Sequence, residues 1–143
     1  MKKFIFSLEK VLGFKQQTLD VKKNELSAMQ SKLHELEQEI DDLNRKFTLY
    51  NQQMVEAMKE GLSASDISVY KMYFNVLNKK IKKLIEEKSM VLDLISHKKD
   101  EIVQVNSEIS GFEKLRDKQF AEYMKQVQKS QELAIEEFVS QVR

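Results

Sequence analysis

The sequence predicts an all-α protein, an antiparallel two-helix coiled-coil hairpin whose second helix is the longer. Three observations predict it. Across 143 residues there is no Pro and there are only three Gly, so few sharp turns are available. Two long stretches carry apolar residues at alternating steps of four and three. One short run between them, "MKEGLSASDISVY" (58–70), gathers a glycine and three serines.

The first helix is expected over about 5–59. Stepping from Leu8 gives Leu12, Lys15, Leu19, Lys22, Leu26, Met29, Leu33, Leu36, Ile40, Leu43, Phe47, Tyr50, Met54 and Ala57. Thirteen of these fifteen positions are apolar. A repeat of about 3.5 residues keeps one seam facing a partner helix. The residues between are mostly charged or amide, as in "HELEQEIDDLNRK".

The turn is expected over about 60–65. Gly61 suits the left-handed position that closes a helix. Ser63 can cap the next helix, with Asp66 three residues on as the return partner of a capping box. Ser65 is an equally acceptable cap. The run could instead link two domains, but a flexible linker would be longer and free of these signals. An open chain that dimerises is the other rival. It would require the break to stay helical, which Gly61 and the serines oppose.

The second helix is expected over about 66–139. Its seam reads Ile67, Tyr70, Phe74, Leu77, Ile81, Leu84, Lys88, Val91, Ile95, Lys98, Ile102, Val105, Ile109 and Phe112. Past Phe112 the spacing loosens through Leu115, Phe120, Tyr123, Val127, Leu133, Ile135 and Phe138. With the turn near residue 62, residue i faces roughly residue 124 − i. The arms would measure about 75 Å and about 110 Å. Residues from about 119 would overhang with no first-arm partner, leaving Phe120, Tyr123, Met124, Val127 and the apolar residues after them for an external one. A frayed tail is the bland reading of the same stretch. Lysines at seam positions 15, 22, 88 and 98 lower stability and can set register. That part of the hairpin is expected to be loosely zipped.

Charge argues against several functions. Lys and Arg number 24 against 23 Asp and Glu, and the balance holds within residues 1–61, 62–112 and 113–143. No polybasic arm supports nucleic-acid binding. "NKKIKKLIEE" (78–87) holds four lysines, readable as side chains snorkelling beside the seam or as a docking patch for an acidic partner surface. The lysine-led start imitates a signal peptide, but its apolar run, Phe4 to Leu8, is too short for one. No stretch approaches a membrane span. Without cysteine there is no disulfide and no thiolate site, in keeping with a reducing cytoplasm. His34 and His97 fall about two helical turns apart in the 124 − i register, too far to share a metal. Asp41–Asp42 and Glu86–Glu87 sit on charged faces. No phosphate-cradling loop or metalloprotease motif is present. The reading is a non-enzyme with no cofactor. Tyr73, beside the seam, is either a binding anchor or edge packing.

"FIFSLEKVLGFKQQ", "GLSASDISVYKMYFNVLNKKI" and "FEKLRDKQFAEYMKQVQKSQELAIEEF" together resemble the FliJ family of flagellar type III export proteins. They match its opening F-x-F-x-L-x-x-V-L run, its tyrosine-led second helix and its L-x-x-K-Q-x-x-E segment. The resemblance implies a cytoplasmic coiled-coil stalk, peripheral at the inner face of the cell membrane only through its partners, and monomeric when free. Those partners would be the hexameric export ATPase (FliI), the export gate protein (FlhA) and export chaperones. It implies gate contact early in the second helix, by Tyr70, Tyr73, Leu77, Lys80 and Leu84. Lys80 and Leu84 depart from the small and polar residues of the family's surface. It implies ring contact by Phe4, Phe6, Leu8 and Leu12 with Leu115, Lys118, Gln119, Glu122, Tyr123 and Val127. An injectisome stalk, a helical holdase and a purely structural dimeric coil are the alternatives.

Overall fold

The computed structural model describes residues 2–142. It contains two helices, α1 (Glu9–Glu60) and α2 (Ala64–Val142). They contact each other as a hairpin, and α2 is the longer. Their contacts divide into two units. One unites Met1–Lys23 with Asp100–Arg143, and the other is Asn24–Lys99.

The turn lies in the Asn24–Lys99 unit and is shorter than expected. Only Gly61, Leu62 and Ser63 lie outside the helices. Gly61 has φ of 96°, and its N–H donates to the Met58 carbonyl at 3.3 Å. Open space surrounds the site a Cβ would occupy, so the backbone conformation alone calls for glycine. Across the turn the capping box forms in both directions. The Asp66 N–H donates to Ser63 Oγ at 3.1 Å, and the Ser63 N–H donates to Asp66 Oδ2 at 3.4 Å. Two helix-terminal donors are thereby satisfied. Ser65, the rival cap, lies inside α2.

All twenty-nine seam positions read from the sequence, Leu8 to Ala57 and Ile67 to Phe112, are buried or half-buried. In the turn-bearing unit, Leu36, Leu77 and Ile95 are the buried residues. Tilted ring pairs continue the seam toward the turn: Phe47 with Phe74, centroids 4.8 Å apart, and Tyr50 with Tyr70 at 4.9 Å. Lys88 reaches Glu37 at 3.6 Å, and Lys98 reaches Glu25 at 2.5 Å.

In the unit holding the chain ends, Phe6, Leu12, Val105 and Ile109 form a buried cluster. Phe4, Leu8, Leu19 and Phe112 pack against it. Lys15 reaches Glu108 at 2.5 Å, and Lys22 reaches Glu101 at 2.9 Å. Each seam lysine is half-buried and delivers its ammonium to a glutamate on the other helix. The expected loose zipping is absent at these positions. Every one of these pairs falls within about one residue of the 124 − i register.

The N-terminus departs from the expected helix. Residues 2–6 are not helical, a turn occupies Ser7–Leu8, and α1 starts at Glu9. The Glu9 N–H donates to the Phe6 carbonyl at 3.1 Å. Phe4, Phe6 and Leu8 are shaded, whereas Ile5 is 81% exposed. That alternation is the period of extended chain and not of a helix.

Two substitutions test this architecture. Leu36→Ala should lower stability by about 2–5 kcal/mol, read from urea unfolding, because Leu36 is fully enclosed. Ser63→Ala should cost about 1 kcal/mol, and adding Asp66→Ala should cost little more, since the two side chains act as one cap.

Candidate functional site

The two candidate surfaces fall in different units. The gate-contact residues lie in the turn-bearing unit. There Tyr50 sits among three α2 rings: Tyr70, Tyr73 at 4.2 Å and Phe74 at 5.4 Å. Tyr73 is 38% exposed, so it packs on Tyr50 by one side and meets solvent by the other. The edge-packing reading of Tyr73 holds, and part of its ring stays open to solvent. Tyr70 and Leu84 are half-buried, and Lys80 is exposed. Leu77 is only 3% exposed and belongs to the core. The five candidates therefore do not share one open surface.

What is open in that region was missed by sequence reasoning. Val69, Met72 and Val76 are exposed large apolar side chains on α2. The signal was present. These positions repeat the seam's own steps, displaced by two residues, which turns them to the opposite side of the helix.

The ring-contact residues lie in the other unit. Phe6 and Leu12 are enclosed in its core, and Phe4 and Leu8 pack on that core. Leu115, Lys118 and Glu122 are exposed; Gln119, Tyr123 and Val127 are half-buried. Arg116, not Leu115, continues the shaded side of α2, and it reaches Glu9 at 4.0 Å.

The extended arm decides where α2 becomes bare. The Phe4 ring meets Phe120 edge-on at 5.2 Å and Tyr123 at 5.5 Å. Tyr123 Oη donates to the Lys2 carbonyl at 2.7 Å. The arm thus covers α2 as far as Tyr123, which the sequence reading leaves uncovered from about 119. Residues 128–142 are helical and exposed throughout. Ile135, Phe138, Val139 and Val142 recur at i, i+3, i+4 and i+7, forming one apolar stripe. Phe138 is 68% and Val142 71% exposed.

Electrostatics are concentrated at Glu108. Its Oε2 is sealed from solvent and lies against the Lys15 ammonium, in the geometry of an ion pair more than of an aligned hydrogen bond. The Gln104 amide donates to Oε1 at 3.3 Å. Lys15, then Gln104, hold the Glu108 pKa below its ordinary value of 4.5, against a smaller opposing effect of burial.

His34 and His97 are both exposed. Among the described residues, no group of three or more His, Cys, Asp or Glu is placed to hold a metal, and no helix is long and apolar enough to cross a membrane. Concavities are surface grooves, such as one along α1 lined by Asp41, Asn44, Arg45 and Thr48. The fold is a helical coiled-coil hairpin with exposed apolar residues along α2.

The sequence model of the Flagellar FliJ protein family matches residues 4–142. The chain belongs to that family, and is a coiled-coil protein related to flagellar type III export. Comparison with curated proteins and with solved structures returns no match.

Two measurements follow from this geometry. The lowered Glu108 pKa makes the ion pair's contribution complete above about 4.5 and lost as pH falls through the lower folded-state value. Melting temperature between neutral and acid pH should therefore fall less steeply in Glu108→Gln than in the unsubstituted chain. Removing residues 1–6 should uncover Phe120 and Tyr123, speeding amide exchange in α2 around them while leaving exchange near Leu36 unchanged.

Proposed function

We propose that this chain couples the hexameric export ATPase to the export gate and assists delivery of chaperone-bound substrates, working in the cytoplasm beside the membrane. The observation that carries the reading is the bare stripe of Ile135, Phe138, Val139 and Val142. An apolar helical face with no covering element calls for an external partner. The interior of an ATPase ring is such a partner, and family membership supports it. The stripe lies outside the residues carried over for ring contact. It adds to them, since Phe6 and Leu12 are engaged in the core and serve the arm's placement.

Gate contact is assigned to the exposed side of Tyr73 with Lys80 beside it. Tyr70, Leu77 and Leu84 position that surface from the seam. Family membership supports a non-enzymatic role.

Truncation after Val127 keeps the arm and its aromatic contacts and removes only the bare helix. It should abolish co-purification with the export ATPase and stimulation of ATP hydrolysis, while circular dichroism still shows a cooperatively melting hairpin. Full stimulation by the truncated chain would exclude ring contact through this helix. Tyr73→Ala should weaken gate binding and leave ATPase stimulation intact. A holdase would behave differently, suppressing aggregation of unrelated proteins.

A further inference from the structure

The balance of charge conceals a belt without acids. Residues 67–85 contain five lysines and no Asp or Glu. Residues 43–55 of α1 contain Arg45 and Lys46 and again no acid. These two stretches face each other in the turn-bearing unit, as the Phe47–Phe74 and Tyr50–Tyr73 ring contacts show. The nearest acids bound the belt: Asp42 and Glu56 on α1, Asp66 and Glu86 on α2. Asp42 lies 3.8 Å from Arg45. Among the described residues, Lys46, Lys71, Lys79, Lys80, Lys82 and Lys83 make no ion pair, and all six are exposed.

The exposed apolar residues continue into these cations along one line. Val69, Met72, Val76, Lys79 and Lys83 follow steps of three and four, opposite the seam. Val69 is 58%, Met72 68% and Val76 47% exposed. Tyr73 flanks the line.

We propose that this outer face of α2 binds the headgroup region of an anionic lipid bilayer. Its test is separable from the coupling reading, because Met72, Val76, Lys79 and Lys83 belong to neither the gate nor the ring set; Tyr73 and Lys80 are shared with the gate surface. Charge complementarity selects an anionic surface. The choice among anions follows from the side chains. A phosphate backbone gives no use to Val69, Met72 and Val76. Protein interfaces deplete lysine and favour arginine, whose fork grips carboxylates; here all five cations of residues 67–85 are lysine. Lysines on flexible stems around an apolar line suit a diffuse negative plane, where apolar burial and charge attraction act together.

The test is sedimentation of the full chain with two vesicle types at low salt: phosphatidylcholine alone, and phosphatidylcholine with about a third phosphatidylglycerol. The expected result is retention on the anionic vesicles only, falling as salt rises. Lys79→Gln with Lys83→Gln should weaken partition by about 30-fold, at the usual contribution per surface lysine. Met72→Ser with Val76→Ser should also weaken it and leave its salt dependence in place. These exposed positions should leave helicity and melting temperature unchanged, checked by circular dichroism. Equal retention on both vesicle types, or retention of the lysine variant like that of the unsubstituted chain, would overturn the proposal. So would unsubstituted chain that ignores anionic vesicles while the lysine variant loses a protein partner; the belt would then face an acidic protein.

Discussion

Everything in this fold depends on the continuity of one apolar seam on each helix. A helix of this length, rich in charge and poor in internal partners, gains most of its stability by burying one face. Leu12, Leu36, Leu77, Ile95, Val105 and Ile109 do so almost completely. The other seam residues remain half-buried because a two-helix pair encloses only its centre line. The pairing is intramolecular only because Gly61 takes a positive φ that other residues resist, and because Ser63 and Asp66 restart the helix two residues later. Turn and seam are mutually dependent. A short turn without a seam would hold nothing, and a seam without the turn would pair equally well with a second chain.

Hydrophobic repeats specify a face more strongly than a register. A slip of one heptad would set Leu on Leu again. The lysines at 15, 22, 88 and 98 remove that degeneracy. Each finds a glutamate at the far flank in the observed register, and a one-heptad slip in either direction would leave a glutamate opposite only one of the four. Individually these exposed or half-exposed pairs add little stability. Their value lies in excluding alternatives. At Glu108 the Lys15 ammonium also holds the carboxyl pKa below its ordinary value.

The fold was largely legible because its determinants are periodic. Each predicted seam position is shaded, and the capping box was readable as Ser63 and Asp66. The misreadings share one cause, a single period applied past its range. Phe6 and Leu8 fall within the helix expected over about 5–59, although with Phe4 they alternate as extended chain does. The arm they form covers Phe120 and Tyr123, so α2 becomes bare near residue 128 and not near 119. Leu115 and Phe120 drew attention by being apolar, although Arg116 and Gln119 hold the shaded positions. Following the seam alone also hid its mirror line, Val69, Met72 and Val76. The candidate site was less legible than the fold because its residues were carried over one by one. That procedure does not show which side of a helix each residue faces, and it placed Leu77 on a surface when it lies in the core.

The distribution of apolar exposure then separates structural from interactive residues more sharply than residue type does. Isolated exposed hydrophobics are common on any protein and call for no partner. A partner is indicated where exposed apolar residues recur at helical spacing with nothing packed on them. Val69 to Val76 in one unit and Ile135 to Val142 in the other are such lines, and their surroundings differ. The first runs into lysines and lacks acids; the second is interleaved with Glu132, Glu136 and Glu137. Two apolar stripes with opposite local charge are suited to chemically different surfaces. The proposed coupling role would use such a difference, since like surfaces would compete for one partner.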